Sequence, residues 1–210
     1  MFLDVSRIGG MTLALLAVVG CGEDDVAPPG AAPESELVVP SAKPRVRAKH
    51  GERYATDLAA SLELSRSDVC NELGRYDCVS DAHRIVVGGV EPYRLGIDEP
   101  LPIAPITAPI AYDRIALSAC GERADRDFAD PGTAALFGDV IPEASVESLR
   151  ATGTKLYEQV LGRGPDPTEL EAIVSFYDEV AAETEAAEAP KEWAVLACFA
   201  VATTQEALFY

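Results

Sequence analysis

The sequence predicts a mainly α-helical protein: a small helical domain with a proline-rich extended segment and at most one or two short strands, preceded by a disordered tether. Three observations lead to this fold class. Apolar residues follow a helical period over 146–161, and residues 166–169 carry the chemistry of a helix start. Residues 21–53 are rich in Pro, Ala and charge and bury too little to fold. The predicted organisation is a signal peptide over 1–20, a tether over 21–53 and a helical domain over 54–210.

Four long helices are predicted in the second half of the domain. A helix over 108–126 is apolar on most sides, so we expect it to be central. The stripe over 146–161 ends at a glycine, and Asp166-Pro167-Thr168-Glu169 then begins the next helix, so these two helices form a hairpin. Pro190 opens a last, almost wholly apolar helix. The apolar end, residues 208–210, is expected to fold back onto the core.

The first part of the domain gives weaker signals. Ser65 and Asp68 resemble a capping box, and Gly74 is a typical helix stop, which predicts a short helix near 66–73. Residues 85–87 are candidates for one short strand. Five prolines interrupt residues 91–109, and this segment is predicted to be extended and to wrap the core. The prolines alternate with the apolar residues Leu101, Ile103, Ile106 and Ile110.

The charge and composition of the chain argue against some classes of binding partner. The formal net charge is −18, which argues against nucleic acid, because phosphate binding needs clustered Lys and Arg. Such acidity also repels an anionic membrane surface. With 48% hydrophobic residues the chain can still build a real core.

The N-terminus carries the most specific motif of the chain. Arg7 precedes an apolar run over 8–19 that is too short to span a bilayer, and Val18-Val19-Gly20-Cys21 follows. This order resembles the signal and lipobox of bacterial lipoproteins. The resemblance implies a diacylglycerol on Cys21 and a lipid-anchored position in the bacterial cell envelope, at the inner or outer membrane. The alternative is an ordinary signal cut nearby, with Cys21 left as a thiol.

Four further cysteines remain in the domain: Cys70, Cys78, Cys120 and Cys198. An exported chain meets an oxidising compartment, so disulfides are expected, although four cysteines allow three connectivities. The preferred pairs are Cys70–Cys78, a local clip, and Cys120–Cys198, a long staple. Buried free thiols at Cys120 and Cys198 are the alternative.

A small basic cluster ends the tether: Lys43, Arg45, Arg47, Lys49 and Arg53. Contact with anionic lipid headgroups or an acidic partner is one interpretation. A solvated linker end is the other, and the one we favour. His50 also lies in this tether and is set aside.

Candidate catalytic chemistry is sparse. His83 with Asp77 and Asp81 has the residue types of a metal site, but no helical period puts all three on one face, which favours a partly exposed loop histidine and no metal. The charges over 122–130 fit surface ion pairs at i,i+4 better than a pair of catalytic carboxylates. Ser118 lacks the glycines of a nucleophile elbow, and Gly88-Gly89 lacks the Lys of a phosphate loop.

The second half resembles a helical domain of unknown function found in planctomycete-type exported proteins beside cytochrome c domains. The similar residues are Leu156–Pro165 with Glu169-Leu170, the tail Thr204–Tyr210 and, more faintly, Leu64–Gly74. The resemblance implies no catalytic residues, since that family has no assigned activity. Cys-x-x-Cys-His is absent, so the chain does not hold a c-type haem covalently.

Together these observations predict a non-enzymatic accessory or interaction protein. It would be held at the membrane by its N-terminal lipid anchor and would bind an unidentified envelope protein, without nucleic acid or cofactor. Two alternatives stay open. The resemblance implies an accessory of a cytochrome c-type redox or enzyme system, and a pocket between helices would make the domain a small-ligand binding module.

Overall fold

The computed structural model describes residues 47–101, 104–141 and 143–210. Within these residues the protein is mainly α-helical, as the sequence predicts. The predictions for the signal peptide, for Cys21 and for most of the tether lie outside the described residues.

The helices are α1 (Gly51–Ser61), α2 (Pro92–Leu95), α3 (Ala108–Ala129), α4 (Val146–Leu161), α5 (Pro167–Glu183), α6 (Ala189–Ala202) and α7 (Gln205–Leu208). Two short strands, β1 (Asn71–Glu72) and β2 (Tyr76–Asp77), pair antiparallel. Single 3-10 turns cover Arg66–Asp68 and Pro131–Thr133, and a π-helical turn covers Cys78–Ala82.

The hairpin of α4 and α5 follows from local chemistry. Gly162 ends α4 in the left-handed region, with φ 69°. At the start of α5 the Asp166 carboxylate accepts hydrogen bonds from the backbone N–H of Thr168 and Glu169, at 2.7 and 2.9 Å. The Glu169 carboxylate accepts from the Asp166 N–H at 2.8 Å, which completes the predicted capping box.

The core lies where α3 and α6 pack against each other, with the α4–α5 hairpin against α6 and α1 against α3. Ile115 of α3 and Trp193 of α6 are fully buried. The indole N–H of Trp193 donates to the carbonyl of Ile173 on α5 at 3.0 Å, so its polar atom is satisfied inside the core. The predicted central positions of α3 and α6 are confirmed.

The folded part begins earlier than the predicted Tyr54. Helix α1 starts at Gly51, and Ala48 pairs antiparallel with Phe209 at the C-terminus. The backbone of residues 208–210 therefore does return to the domain, although Tyr210 remains exposed. Gly51 is needed here for a close approach, since a Cβ at this position would lie 2.2 Å from Cγ2 of Val87.

Two predictions in the first part of the domain are wrong. Instead of a helix over 66–73 the chain makes one 3-10 turn and then the β1–β2 hairpin, because Leu73 and Gly74 adopt positive φ values of 55° and 64°. Instead of a strand, residues 85–87 form turns, and the Val87 carbonyl accepts from the Gly51 N–H at 2.8 Å.

The proline-rich segment is also only partly as predicted. It lacks regular secondary structure over residues 98–101 and 104–107, but it opens with the short helix α2. It does not wrap the core with its apolar residues, because Leu101, Ile106 and Ile110 are all exposed. Ile103 lies outside the described residues.

Candidate functional site

A surface cleft of about 530 Å³ lies between the β1–β2 hairpin, the π-helical turn and α2. Eight of its twelve lining residues are polar or charged, and they include three carboxylates, two arginines and a histidine. These residues are Glu72, Asp81, Glu91, Arg84, Arg94 and His83, with Tyr76 and Ser80 beside them. This concentration of titratable groups makes the cleft the best candidate for a functional site.

The hairpin positions one wall of the cleft. The disulfide between Cys70 and Cys78 closes it, with their Cα atoms 5.5 Å apart. Asp77 at the end of β2 then caps the π-helical turn, because its carboxylate accepts from the backbone N–H of Val79 and Ser80 at 2.9 and 2.7 Å. The disulfide and the cap together fix the path of the chain from β1 to His83.

The carboxyl of Asp77 is held in its ionised form. Partial burial acts to raise the pKa of Asp77, but the Ser80 N–H and the Arg66 guanidinium, 2.9 Å away, outweigh it. The pKa of Asp77 therefore lies below its ordinary value. Asp77 is a structural cap and does not face the cleft with a free carboxylate.

His83 pairs with Glu72 in the cleft. Its Nε2 lies 2.8 Å from Oε1 of Glu72, and Nη1 of Arg114 lies 3.4 Å from the same oxygen. A carboxylate beside one ring nitrogen holds the proton there in the neutral ring and leaves Nδ1 as an acceptor. With this arrangement Nδ1 of His83 can accept a hydrogen bond from a ligand.

The structure does not bring His83, Asp77 and Asp81 together as one set of ligands. Asp77 binds Arg66, and Asp81 instead accepts from the Asp77 N–H at 3.1 Å. Over the residues that the structure describes, no group of three or more His, Cys, Asp or Glu side chains is arranged to hold a metal ion.

Sequence reasoning missed Glu72, the actual partner of His83. The signal was present in the cysteine spacing, because closing Cys70 onto Cys78 brings residue 72 back toward the residues after the clip. The other close ion pair of the cleft was missed as well. Arg84 donates to Glu91 at 2.6 Å and to the Ser80 carbonyl at 2.6 Å. Much of the charge in the cleft is thus paired within it.

The charges over 122–130 divide into two kinds. Arg126 pairs with Glu122 and Asp68 on the surface, as the i,i+4 spacing predicts. The prediction of a surface ion pair is wrong for Arg123 and Asp127, which lie at the same spacing but are buried. The reason is tertiary: the loop after α3 folds back over Asp127, and three of its backbone N–H groups donate to the carboxylate.

The cysteines of the domain have the preferred connectivity. Cys70 pairs with Cys78, and Cys120 of α3 pairs with Cys198 of α6, with Cα atoms 5.7 Å apart. The second bond joins the two helices that form the core. All four sulfur-bearing residues are buried, so neither bond presents a surface thiol for exchange chemistry.

His50 and the end of the basic cluster belong to the folded part and not to the tether. Nδ1 of His50 lies 2.9 Å from the Gly88 carbonyl. Lys49 and Arg53 both bind the Asp57 carboxylate, at 3.0 and 2.9 Å. These two cations are therefore partly neutralised by the domain itself, and the expectation that they end a solvated linker is wrong for both of them. Lys43 and Arg45 lie outside the described residues.

A helix can cross a membrane only if it is long and apolar enough. Among the described residues, none of the helices is both long enough and apolar enough to cross a bilayer.

Comparison of the chain with family models, with curated proteins and with solved structures finds no match.

Proposed function

We propose that this protein is an exported bacterial lipoprotein, anchored in the cell envelope through Cys21, that acts as a non-enzymatic accessory to another envelope protein. The observation that carries the proposal is the order of signals at the N-terminus: a cation, an apolar run over 8–19, and Val18-Val19-Gly20-Cys21. Lipidation at Cys21 would leave a mature chain whose first residue is its membrane anchor.

The disulfides support export. Two buried cystines, one of them joining the central helices α3 and α6, suit a protein that folds in an oxidising compartment. A cytosolic protein would keep these cysteines reduced.

The length of the N-terminal segment supports a tethered domain. The 27 residues from Cys21 to Arg47 span at most ~90 Å when fully extended. A domain on such a segment can reach partners well away from the membrane surface, and its membrane attachment raises its local concentration near other envelope proteins.

The charge distribution supports an accessory role and indicates the partner's chemistry. Residues 118–210 contain 18 acidic but 6 basic side chains, whereas residues 47–117 contain 11 and 8. Residues 118–210 therefore carry most of the net negative charge of the domain. We expect the partner to present a basic surface to them, and we expect their association to weaken with salt.

The experiment is to solubilise membranes gently, capture the tagged full chain and identify the proteins recovered with it. We expect a specific partner in low salt, and its loss when Glu185, Glu188 and Glu192 are changed together to Gln. The same captures from cells that express a tagged, unrelated lipoprotein provide the control. Recovery of no specific partner from either low or moderate salt contradicts the accessory role.

Absorbance of the captured complex tests the cytochrome-associated alternative. A haem spectrum in the recovered partner supports an accessory of a c-type redox system, because the chain itself lacks the haem-attachment motif. A colourless partner removes that alternative and leaves the accessory role intact.

The His83 cleft supports a second candidate, a small-ligand binding module. Its volume of about 530 Å³ suits a small polar molecule, with Nδ1 of His83 as acceptor and Arg94 as a cation at its edge. Native mass spectrometry of the protein purified from membranes tests this: a retained small molecule that is absent from the His83→Ala chain is expected. A protein mass without any such adduct contradicts the binding module.

A further inference from the structure

The solvent-facing side of α3 carries an apolar stripe. Ile106, in the turn that leads into the helix, is 94% exposed, and Ile110 and Leu117 are 61% and 46% exposed. The opposite side of the same helix is buried through Ala111, Ile115 and Ala119. Ile110 and Leu117 are seven residues apart, which places them on one line two turns apart, about 10 Å along the helix. Such a stripe on a free surface is a mark of an interface.

Leu73 extends the apolar surface. It lies at the turn of the β1–β2 hairpin, is 88% exposed, and lines a groove of about 360 Å³ together with Leu117 and Arg114. Eight of the eleven large hydrophobic residues that are exposed on the described surface fall within residues 73–117. Exposed apolar area is thus concentrated in the half of the domain that carries little net charge.

Two opposite charges flank the stripe symmetrically. At 100° per residue, Asp113 lies about 50° to one side of the line through Ile110 and Leu117, and Arg114 lies about 50° to the other. Both residues are exposed. The Arg114 side chain is 58% exposed while Nη1 contacts Glu72, so its guanidinium can still receive a second carboxylate.

We propose that the stripe is the contact between two copies of this chain, with their α3 helices side by side and parallel about a twofold axis. In this arrangement Ile110 and Leu117 meet their own counterparts at the centre. Because a parallel twofold axis brings the Asp113 side of one helix against the Arg114 side of the other, two equivalent ion pairs form, one on each side of the apolar contact.

The charges disfavour the antiparallel alternative. In an antiparallel pair with the same apolar contact, the two Asp113 residues share one side and the two Arg114 residues share the other. Like charges would then face each other on both sides, which opposes that pairing. The charge pattern therefore selects the parallel arrangement among pairs of this chain.

The size of the contact predicts a weak dimer. The four apolar side chains expose on the order of 500 Å² per copy, below the ~800 Å² per partner of a standard stable interface. A parallel pair also keeps both Arg47 ends at the same level along the axis, so under the proposed anchoring both copies reach one membrane. The dimer does not depend on that anchor, and it is testable with the non-lipidated chain.

Sedimentation equilibrium of the full mature chain with Cys21→Ser gives the first test. We expect a monomer–dimer equilibrium with substantial dimer at about 0.5 mM, as befits a small interface. Ile110→Asp should remove the dimer, whereas Val146→Asp, an equally exposed apolar position at the start of α4, should leave it unchanged. A wild-type chain that is monomeric up to about 1 mM overturns the proposal.

Charge exchange tests the parallel arrangement. Asp113→Arg alone and Arg114→Asp alone should each weaken self-association at least tenfold, since each creates like-charge contacts. Mixing the two variants should restore association as a heterodimer, because one copy then carries two arginines and the other two aspartates. Failure of the mixture to associate, with both chains folded by circular dichroism, contradicts the parallel pair.

Cross-linking provides a second readout that does not depend on those variants folding well. Under mild oxidation, Ile110→Cys should form a covalent dimer by itself, and so should Leu117→Cys, because each position meets its own counterpart. Val146→Cys should remain monomeric. Cross-linking only in a mixture of the Ile110→Cys and Leu117→Cys chains would indicate an antiparallel pair and overturn the proposal.

Discussion

The guanidinium of Arg123 lies 2.6 Å from the carboxylate of Asp127 one turn further along α3, and both side chains are buried. The same carboxylate accepts hydrogen bonds from the backbone N–H groups of Ala135, Leu136 and Phe137, at 2.9, 2.9 and 2.8 Å. Asp127 therefore compensates a buried cation and satisfies three consecutive donors of the loop that follows α3. This pair connects the central helix to the start of the second half of the domain.

Removing Asp127 should be strongly destabilising. Asp127→Ala leaves the Arg123 charge and three backbone donors without their acceptor, and we expect a loss of about 3–5 kcal/mol of unfolding free energy. Chemical denaturation measures it. Asp125→Ala on the exposed side of α3, where Asp125 pairs with Lys191, is the matched control and should cost about 0–1 kcal/mol. Equal effects of the two substitutions would contradict the role given to Asp127.

The two disulfides should contribute unequally. Cys120 and Cys198 are separated by 78 positions, and Cys70 and Cys78 by 8. Because loop-closure entropy grows with loop length, removing the long bond should cost about 4–5 kcal/mol and removing the short bond about 2–3 kcal/mol. Denaturation of the paired Cys→Ala variants compares them. Mass spectrometry of the non-reduced protein should find both linked pairs, and four free thiols would refute them.

Trp193 should be a principal contributor to the core. Its side chain is fully buried and its indole N–H is hydrogen-bonded to Ile173, so Trp193→Ala should cost about 3–5 kcal/mol. Trp193→Phe keeps most of the apolar volume but loses the donor, and we expect a smaller loss. A melting temperature unchanged by Trp193→Ala would contradict the central position of α6 in the core.

The start of α5 should give the domain a measurable acid sensitivity. Two hydrogen bonds from Arg163, at 2.7 and 2.8 Å, and one from the Asp166 N–H lower the pKa of Glu169 from 4.5 to about 2. A lowered pKa stabilises the fold fully above pH 4.5, and this contribution is lost as the pH falls from 4.5 to about 2.

The comparison of wild type with Glu169→Gln isolates that contribution, because Gln keeps the capping-box geometry without the charge. The wild-type chain should have the higher melting temperature at neutral pH, and the difference should shrink below pH 4.5. A difference that stays constant down to about pH 2 would show that Glu169 does not titrate as its contacts imply.

Local sequence signals predicted the second half of the fold well. The Asp166-Pro167-Thr168-Glu169 start and the Gly162 stop each act through backbone hydrogen bonds within a few residues, so they are readable without tertiary information. Pro190 and the almost wholly apolar run after it, which predict α6, are equally local signals, and the buried Trp193 agrees with them.

The remaining features depend on contacts between distant residues. Nothing local distinguishes Arg123–Asp127 from Glu122–Arg126, since both have i,i+4 spacing; the loop over 135–137 decides which pair is buried. The partnership of Glu72 with His83 depends on the turn that Leu73 and Gly74 make at positive φ. Likewise, the exposure of Ile106 and Ile110 follows from how α3 packs and not from their hydrophobicity.

Metabolic labelling with a tagged fatty acid tests whether Cys21 carries the proposed lipid. The wild-type chain should incorporate the label and fractionate with membranes. The Cys21→Ala chain should incorporate none and should either leave the membranes or remain unprocessed. Continued labelling of the Cys21→Ala chain, or an unlabelled wild-type chain, would contradict lipidation at Cys21.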